Sequence, residues 1–150
     1  MKLKTEKSPL KAGGKMASGN KQVFVVDDDE SVCRALKILL VTYGFEVQTF
    51  ASAEKFLNSV QHLGPGCLIL DVHMPGMDGF ALQQRLNEDG FRFPVIFISV
   101  NKNLKSAEQY LKAPGTAGVL QKPFNDQELV DLIEAAFKKN KKILIRRKIK

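Results

Sequence analysis

Short apolar runs alternate with segments of helical spacing from residue 22 to residue 137. Residues 23–26 form a continuous apolar run, which is typical of a strand that is buried on both faces of a sheet. From Ser31 to Tyr43 the apolar side chains recur every three or four positions, which predicts a helix that ends at Gly44. Continued along the chain, the pattern predicts further strands at 45–50, 67–70, 94–98 and 117–120, and further helices at 52–60, 80–86, 104–111 and 126–137.

Five strands that alternate with five helices indicate the α/β fold class, with a parallel five-stranded sheet and helices on both faces. Because crossovers between parallel strands are right-handed, the topology is restricted to a doubly wound, flavodoxin-like (βα)5 arrangement. A chain of 150 residues fits one such domain. We therefore divide it into a flexible basic leader at 1–20, a folded domain at 21–137 and a basic tail at 138–150.

The net charge of +7 is distributed unevenly along the chain. Residues 1–20 carry +4 and residues 138–150 carry +8, so the intervening segment carries −5. An acidic folded domain is a poor match for nucleic acid, so only the basic tail is a candidate for contact with nucleic acid, an acidic partner or an anionic membrane surface. The alternative for the tail is a solvated extension of the last helix.

Hydropathy and cysteine usage indicate a cytoplasmic protein. No apolar run approaches the ~20 residues of a transmembrane segment, and the lysine-rich N-terminus has no signal-peptide pattern. Cys33 and Cys67 stand in predicted apolar segments, where we expect buried, reduced thiols. Neither belongs to a CxxC motif, which disfavours a disulfide or thiol catalysis.

Polar side chains follow four of the five predicted strands, at the edge where ligands bind in open α/β sheets. Asp27 and Asp28 follow the first strand, Asp71 the third, Ser99 the fourth and Lys122 the fifth. Three carboxylates in one crevice repel one another unless a cation lies between them, and oxygen ligands of this kind suit Mg²⁺. A lysine and a hydroxyl at the same edge can bind phosphoryl oxygens. The set therefore indicates phosphoryl chemistry centred on a carboxylate nucleophile.

Four stretches, in order VFVVDDDESV, LILDVHMPGMDG, VIFISV and VLQKPF, make residues 21–137 similar to the receiver domain of bacterial two-component response regulators. The resemblance implies that Asp71 is the phospho-acceptor, with a histidine kinase or a small acyl phosphate as the donor. It also implies a Mg²⁺ site in which Asp28 binds directly and Asp27 acts through a water molecule. Asp71 and the backbone carbonyl of His73 complete that metal site.

The same resemblance assigns roles to the other polar groups. Lys122 would pair with the phosphoryl oxygens and, before phosphorylation, with Asp71, and the Lys122–Pro123 peptide would be cis. Ser99 would move inward to hydrogen-bond the phosphoryl group, which alters the face built from the fourth helix, the fifth strand and the fifth helix. Phosphorylated relatives often dimerise through that face, so a homodimer is implied, whereas the downstream effector is unknown.

Other polar residues near these motifs have structural explanations. Asp29 and Glu30 fit the N-terminus of a helix, where a capping carboxylate and negative charge are favourable. Asp78 fits a turn or the cap of the third helix. We expect the side chains of His62 and His73 to be exposed, with His73 affecting only the lifetime of a phosphoryl group.

The segment after Asp71 is expected to turn sharply. Pro75 ends the strand, because proline fixes φ and cannot donate to the ladder. Gly76 and Gly79 are expected to permit the return into the next helix, and for Gly79 we expect a φ that a side chain would forbid.

Two positions depart from the pattern of the family. Val100 follows Ser99 where a small residue is usual, and its branched side chain is expected to crowd the entrance to the phosphorylation site. Val119 replaces an aromatic residue, so the usual rotamer switch of that aromatic side chain is absent. The chain between Ser99 and Lys122 is also about one residue longer than is usual, near residues 113–115.

The leading hypothesis is a response regulator receiver that accepts phosphate on Asp71, in Mg²⁺-dependent phosphorelay signal transduction, and signals to a partner by conformational change. We therefore expect a switch rather than a metabolic enzyme. The alternative is a pseudo-receiver that binds partners without phosphorylation, which Val100 and Val119 favour. A hydrolase with an aspartyl-phosphate intermediate is disfavoured, because His73 occupies the place of the general acid two residues after the nucleophile.

Overall fold

The computed structural model of the protein describes residues 21–100 and 112–149. Apart from the helix predicted at 104–111, which lies outside the described residues, every predicted helix and strand is present. The boundaries of these helices and strands agree with the predicted ones to within two residues, except at the end of the last helix. The order is β1 (Gln22–Val26), α1 (Glu30–Thr42), β2 (Glu46–Phe50), α2 (Ala53–Ser59), a 3₁₀ turn (Val60–His62), β3 (Cys67–Asp71), α3 (Gly79–Glu88), β4 (Val95–Ser99), β5 (Thr116–Gln121) and α4 (Asp126–Ile149).

The five strands form one parallel sheet in the order β2-β1-β3-β4-β5. The chain runs outward from β1 to β2 and then crosses back over β1 to β3, so the direction of winding reverses there. This confirms the doubly wound, flavodoxin-like topology expected from the sequence. In such sheets the reversal opens a crevice at the carboxyl ends of the two central strands.

The sheet separates two apolar layers. Each strand contributes side chains to both layers, because successive side chains point to opposite faces. From β1, Val23 and Val25 pack in the layer that contains α1 and α4 residues, such as Leu40 and Ile133. The alternate residue Phe24 packs in the other layer, with residues of α2 and α3. All ten phenylalanines lie in these layers or pack against them, which confirms that they are core residues.

Helix α4 continues to Ile149, twelve residues beyond its predicted end. Residues 138–149 contain neither Gly nor Pro, and lysine and arginine are good helix formers. The backbone of the basic tail is therefore helical through Ile149. Within the two described ranges, none of the helices combines the length and apolar character that crossing a bilayer requires.

A β-bulge in β5 lies close to the place where we expected one additional residue. Ala117 has no partner in the β4–β5 register, and it packs in the layer that α4 covers. A Cβ added at Gly118 would lie 3.0 Å from Leu132 of α4, so two consecutive positions face the same helix, as a bulge requires. Beyond the bulge the register is regular, and Ser99 pairs with Gln121.

Candidate functional site

The polar residues expected at the sheet edge are brought together by the parallel topology. Asp71 and Ser99 are the last residues of β3 and β4, while Asp27 and Lys122 directly follow β1 and β5. Cross-strand hydrogen bonds align these ends, because the Val72 amide donates to the Ile98 carbonyl and the Lys122 amide donates to the Ser99 carbonyl. The site therefore lies across the reversal between β1 and β3.

Three carboxylates form the centre of the site. One oxygen from each of Asp27, Asp28 and Asp71 lies within 4.8 Å of the other two. Asp27 is 4% exposed, Asp71 is half-buried and Asp28 is exposed, so the cluster opens to solvent on the Asp28 side. Carboxylate oxygens in a cluster with one solvent-facing side match a hard divalent cation that keeps part of its water shell. These residues therefore fit Mg²⁺.

The protonation behaviour of the carboxylates reflects their crowding. The pKa of Asp71 is raised to about 6, first by burial and then by the negative charge of Asp27. The His73 amide, 3.3 Å from Asp71 Oδ1, and the charge of Lys122 oppose that rise. Burial also raises the pKa of Asp27. Bringing these carboxylates together is thus unfavourable for their ionised forms, and a cation among them would relieve this cost.

Lys122 contacts a different carboxylate from the one we expected. Its ammonium Nζ lies 3.7 Å from Asp27 Oδ2. Among the described residues, Lys122 therefore forms an ion pair with Asp27 in place of the expected pair with Asp71. Asp27 is the more deeply buried of the two acids, so it gains more from a cationic neighbour. The charge of Lys122 still lowers the pKa of Asp71. The Lys122–Pro123 peptide is cis, as predicted.

Ser99 and Val100 differ sharply in their surroundings. Ser99 is fully buried at the end of β4, and its carbonyl accepts the Lys122 amide at 2.8 Å. Val100 is 64% exposed. Most of the Val100 side chain therefore faces solvent.

The turn after β3 confirms one expected role of glycine and corrects another. Gly76 has a φ of +76°, in the left-handed region that favours glycine. Gly79 does not have a positive φ, so the expected reason was wrong. A Cβ on Gly79 would instead lie 2.5 Å from the Asp71 carbonyl oxygen, so the start of α3 passes too close to β3 for any side chain. Asp78 caps α3, since its Oδ1 accepts the Ala81 amide at 2.8 Å.

The turn between β1 and α1 is closed by hydrogen bonds around Asp29. Its side chain caps α1 by accepting the amides of Ser31 and Val32, which confirms the structural explanation for Asp29. Its own amide donates to Asp27 Oδ1 at 2.8 Å. Glu30 lies in the first turn of α1, is exposed and pairs with Arg34. Asp29 and Glu30 therefore shape and cap this end of the helix.

The sequence did not reveal the contact made by Cys33. Both cysteines are buried and free of disulfides, as expected. The Cys33 Sγ also lies 3.3 Å from the carbonyl oxygen of Asp27. The sequence signal for this contact was a cysteine one turn into a helix that follows an acidic motif. Periodicity, however, shows only that such a residue is buried. His62 and His73 are exposed, as predicted.

Comparison with known proteins places this geometry in a family. The model of the response regulator receiver domain matches residues 23–134. Response regulator protein TodT of Pseudomonas putida is 42% identical over 116 residues, which are 77% of this chain and 51% of TodT. Transcriptional regulatory protein TdiR of Thauera aromatica is 40% identical over 121 residues, 81% of this chain and 53% of TdiR. The chain thus spans about half the length of these curated relatives.

Solved structures agree with this comparison. The response regulator StyR superimposes with a TM-score of 0.79 at 39% identity, over 87% of this chain and 66% of StyR. The N-terminal part of FixJ superimposes with a TM-score of 0.73 at 33% identity, over 78% of this chain and 93% of that structure.

Proposed function

The chain belongs to the response regulator receiver domain family of two-component systems, and from this premise we propose that Asp71 accepts a phosphoryl group from a histidine kinase. The observation that carries the proposal is the grouping of Asp71 with Asp27 and Asp28 within 4.8 Å, with Lys122 beside them. A nucleophilic carboxylate, two further oxygen ligands and a cationic side chain are the groups that phosphoryl transfer requires.

Asp71 is the nucleophile in this proposal. One of its oxygens attacks the phosphorus of a phosphohistidine or a small acyl phosphate, a new P–O bond forms, and the bond to the donor breaks. Only the ionised carboxylate attacks, so groups that favour ionisation of Asp71 favour the reaction. The His73 amide and the charge of Lys122 act in that direction, because both lower the pKa of Asp71.

Mg²⁺, when bound, supplies positive charge that offsets the charge of the phosphoryl oxygens. The Asp28 and Asp71 carboxylates and the His73 backbone carbonyl would hold the ion, with Asp27 acting through a water molecule. Asp27 also holds the Lys122 ammonium at 3.7 Å. Lys122 is thereby kept at the site, where it would bind the phosphoryl oxygens after transfer.

Ser99 links phosphorylation to a change of shape. Its hydroxyl would donate to a phosphoryl oxygen, which favours the conformation in which Ser99 and the chain after it are drawn toward Asp71. A cytoplasmic partner protein, or a second copy of this chain, would recognise that conformation. The matched residues span about half the length of the relatives TodT and TdiR, which are named as regulators, so we assign this chain signalling rather than metabolic catalysis.

A pseudo-receiver remains the second candidate. In its favour, Lys122 contacts Asp27 rather than Asp71, and Val119 replaces an aromatic switch residue. In this case residues 21–137 would bind a partner irrespective of phosphate, and the basic tail at 138–150 would be the candidate contact with nucleic acid or an acidic surface.

Intact-mass spectrometry separates the two candidates. The full chain is incubated with acetyl phosphate or with phosphorylated histidine kinases, with Mg²⁺ or with EDTA. A gain of one phosphoryl mass that requires Mg²⁺ and is absent in Asp71→Asn supports the phospho-acceptor. The matched control Asp78→Asn alters a capping carboxylate seven residues away and should be phosphorylated normally. The absence of any gain with every donor would contradict the proposal and favour the pseudo-receiver.

A further inference from the structure

Cys33 lies beneath the acidic cluster and contacts the backbone that carries it. Its Sγ is 3.3 Å from the Asp27 carbonyl oxygen and 4.0 Å from the Phe50 carbonyl oxygen. The side chain is 7% exposed. A thiol can act as a hydrogen-bond donor, and the Asp27 carbonyl oxygen is the acceptor within its reach.

The thiol completes a set of hydrogen bonds that fixes Asp27 from several directions. The Asp27 amide donates to the Phe50 carbonyl at 3.1 Å, and Asp27 Oδ1 accepts the Asp29 amide at 2.8 Å. Cys33 contributes twice, because its amide also donates to the Asp29 carbonyl at 3.1 Å. Both ends of the β1–α1 turn are therefore tied to Cys33, and Asp28 lies within that turn.

We propose that Cys33 is a positioning residue that holds the Asp27–Asp28 peptide so that both carboxylates meet Asp71 in the geometry of a divalent cation site. The proposal rests on the Mg²⁺ site of the proposed function. The Asp27 carbonyl belongs to the peptide that precedes Asp28, so rotation of this peptide displaces the Asp28 carboxylate. Metal sites are sensitive to small displacements of this kind, and hydrogen bonds that orient the ligands contribute strongly to affinity.

Cys67 provides a matched control for the simpler explanation that Cys33 only fills space. It is also a buried free thiol, with no exposed surface, in the same sheet-and-helix core layer as Cys33. Cys67 begins β3, whereas Asp71 ends it, so it is about 13 Å from the site at the usual rise of a strand. Replacing either thiol by alanine removes similar packing, but only the Cys33 change removes a hydrogen bond to the acidic turn.

The test is a backbone-amide NMR titration of the full chain with MgCl₂, accompanied by urea denaturation of each variant. Cys33→Ala should raise the dissociation constant for Mg²⁺ by roughly threefold to tenfold, the range expected when one hydrogen bond behind a metal ligand is lost. Cys33→Ser retains a donor and should recover most of the affinity. Cys67→Ala should lose stability but bind Mg²⁺ as the wild type does.

A second pair of variants covers the case in which Cys33→Ala does not fold. Cys33→Thr and Cys33→Val have nearly the same shape, but only threonine can donate a hydrogen bond, so Cys33→Thr should bind Mg²⁺ more tightly. Equal Mg²⁺ affinity in wild type and Cys33→Ala, or in the Thr and Val variants, would overturn the positioning role alone. A wild-type chain that binds no Mg²⁺ would overturn the proposed metal site and this inference together.

Discussion

At Asp71, the proposed phospho-acceptor, the surroundings of the carboxylate make its ionised form costly. Burial and the charge of Asp27 raise its pKa, whereas the His73 amide and Lys122 lower it. The net result, a pKa of about 6, leaves Asp71 mostly ionised at neutral pH. The ionised carboxylate of Asp71 is therefore under electrostatic strain, which a bound cation would relieve.

This strain predicts a pH-dependent effect of Asp71→Asn in EDTA. The pKa of Asp71 is about 6 in the folded protein against an ordinary value of 3.8, so the folded state binds a proton more tightly and the free energy of unfolding falls as pH rises through that window. At about pH 7.5 the variant should be more stable than wild type by on the order of 1 kcal/mol, allowing for solvent screening of a half-buried group, and at about pH 4 the gain should vanish. Urea denaturation at both pH values measures this, and a gain that is equal at both would contradict it.

Val100 predicts a change in the lifetime of the phosphoryl group. We expect this side chain to restrict the approach of water to Asp71, but only in part because it is 64% exposed. Val100→Ala should therefore speed the loss of the phosphoryl group modestly, by about twofold to threefold, a small change in barrier height. The decay of phosphorylated protein after removal of the donor measures this rate. Val41→Ala, at an exposed valine of α1, should leave it unchanged, and an unaltered rate in Val100→Ala would show that Val100 does not shield the site.

At the scale of helices and strands, the turn from β3 into α3 illustrates how closely the backbone is packed behind the site. Gly79 opens α3 directly against the carbonyl of Asp71. Its amide donates to the Val72 carbonyl at 3.1 Å, which holds the helix start against the strand end. The position of Asp71 thus depends on a glycine in the next helix.

Gly79→Ala should destabilise the protein by roughly 2–3 kcal/mol, because the new Cβ meets backbone atoms that must move. It should also slow phosphorylation, since the displaced atom is the carbonyl oxygen of Asp71. Gly64→Ala is the matched control: nothing lies within 4 Å of its Cβ, and its effect should be within about 0.5 kcal/mol. Thermal or urea denaturation gives the comparison, and equal effects of the two changes would refute the close approach.

The elements themselves were largely predictable, whereas the contacts between them were not. The central strands β1, β3 and β4 are buried and are almost continuous apolar runs, and this made them visible in the sequence. The end of α4 was placed at residue 137, although residues 138–149 contain neither Gly nor Pro and the helix continues to Ile149. The bulge at Ala117 was anticipated only as extra length, since periodicity does not define the register between two strands.

The candidate site shows the same limit at finer detail. The acidic cluster followed from the rule that parallel strands end at one edge of a sheet. The partner of Lys122 could not be predicted from that rule, because the choice between Asp27 and Asp71 depends on which carboxylate is more deeply buried. The Cys33 thiol was expected to be buried, but its hydrogen bond to Asp27 depends on the path of the β1–α1 turn.

On the scale of the whole molecule, charge is segregated between the folded domain and the basic ends. Residues 21–137 carry −5, and three carboxylates of that segment converge at one sheet edge. Divalent cations are therefore expected to stabilise the folded state as a whole, since they bind a site that the unfolded chain lacks.

Mg²⁺ at about ten times its dissociation constant should raise the free energy of unfolding by roughly 1.4 kcal/mol. Asp28→Asn should remove most of this gain, because Asp28 is the exposed carboxylate of the cluster. Asp89→Asn, which alters an exposed acid paired with Arg85, should keep the gain in full. Denaturation with MgCl₂ and with EDTA provides the measurement, and equal Mg²⁺ stabilisation of both variants would place the cation elsewhere.

The attachment point of the phosphoryl group tests the central claim most directly. The full chain is treated with acetyl phosphate and Mg²⁺, then reduced with sodium borohydride, which converts an acyl phosphate to a primary alcohol, and digested for peptide mass spectrometry. The account predicts homoserine at Asp71, in the peptide that contains LILDVHMPGMDG, and an unmodified peptide from the sample treated in EDTA. Reduction at Asp27 or Asp28 instead, or at no aspartate, would contradict it.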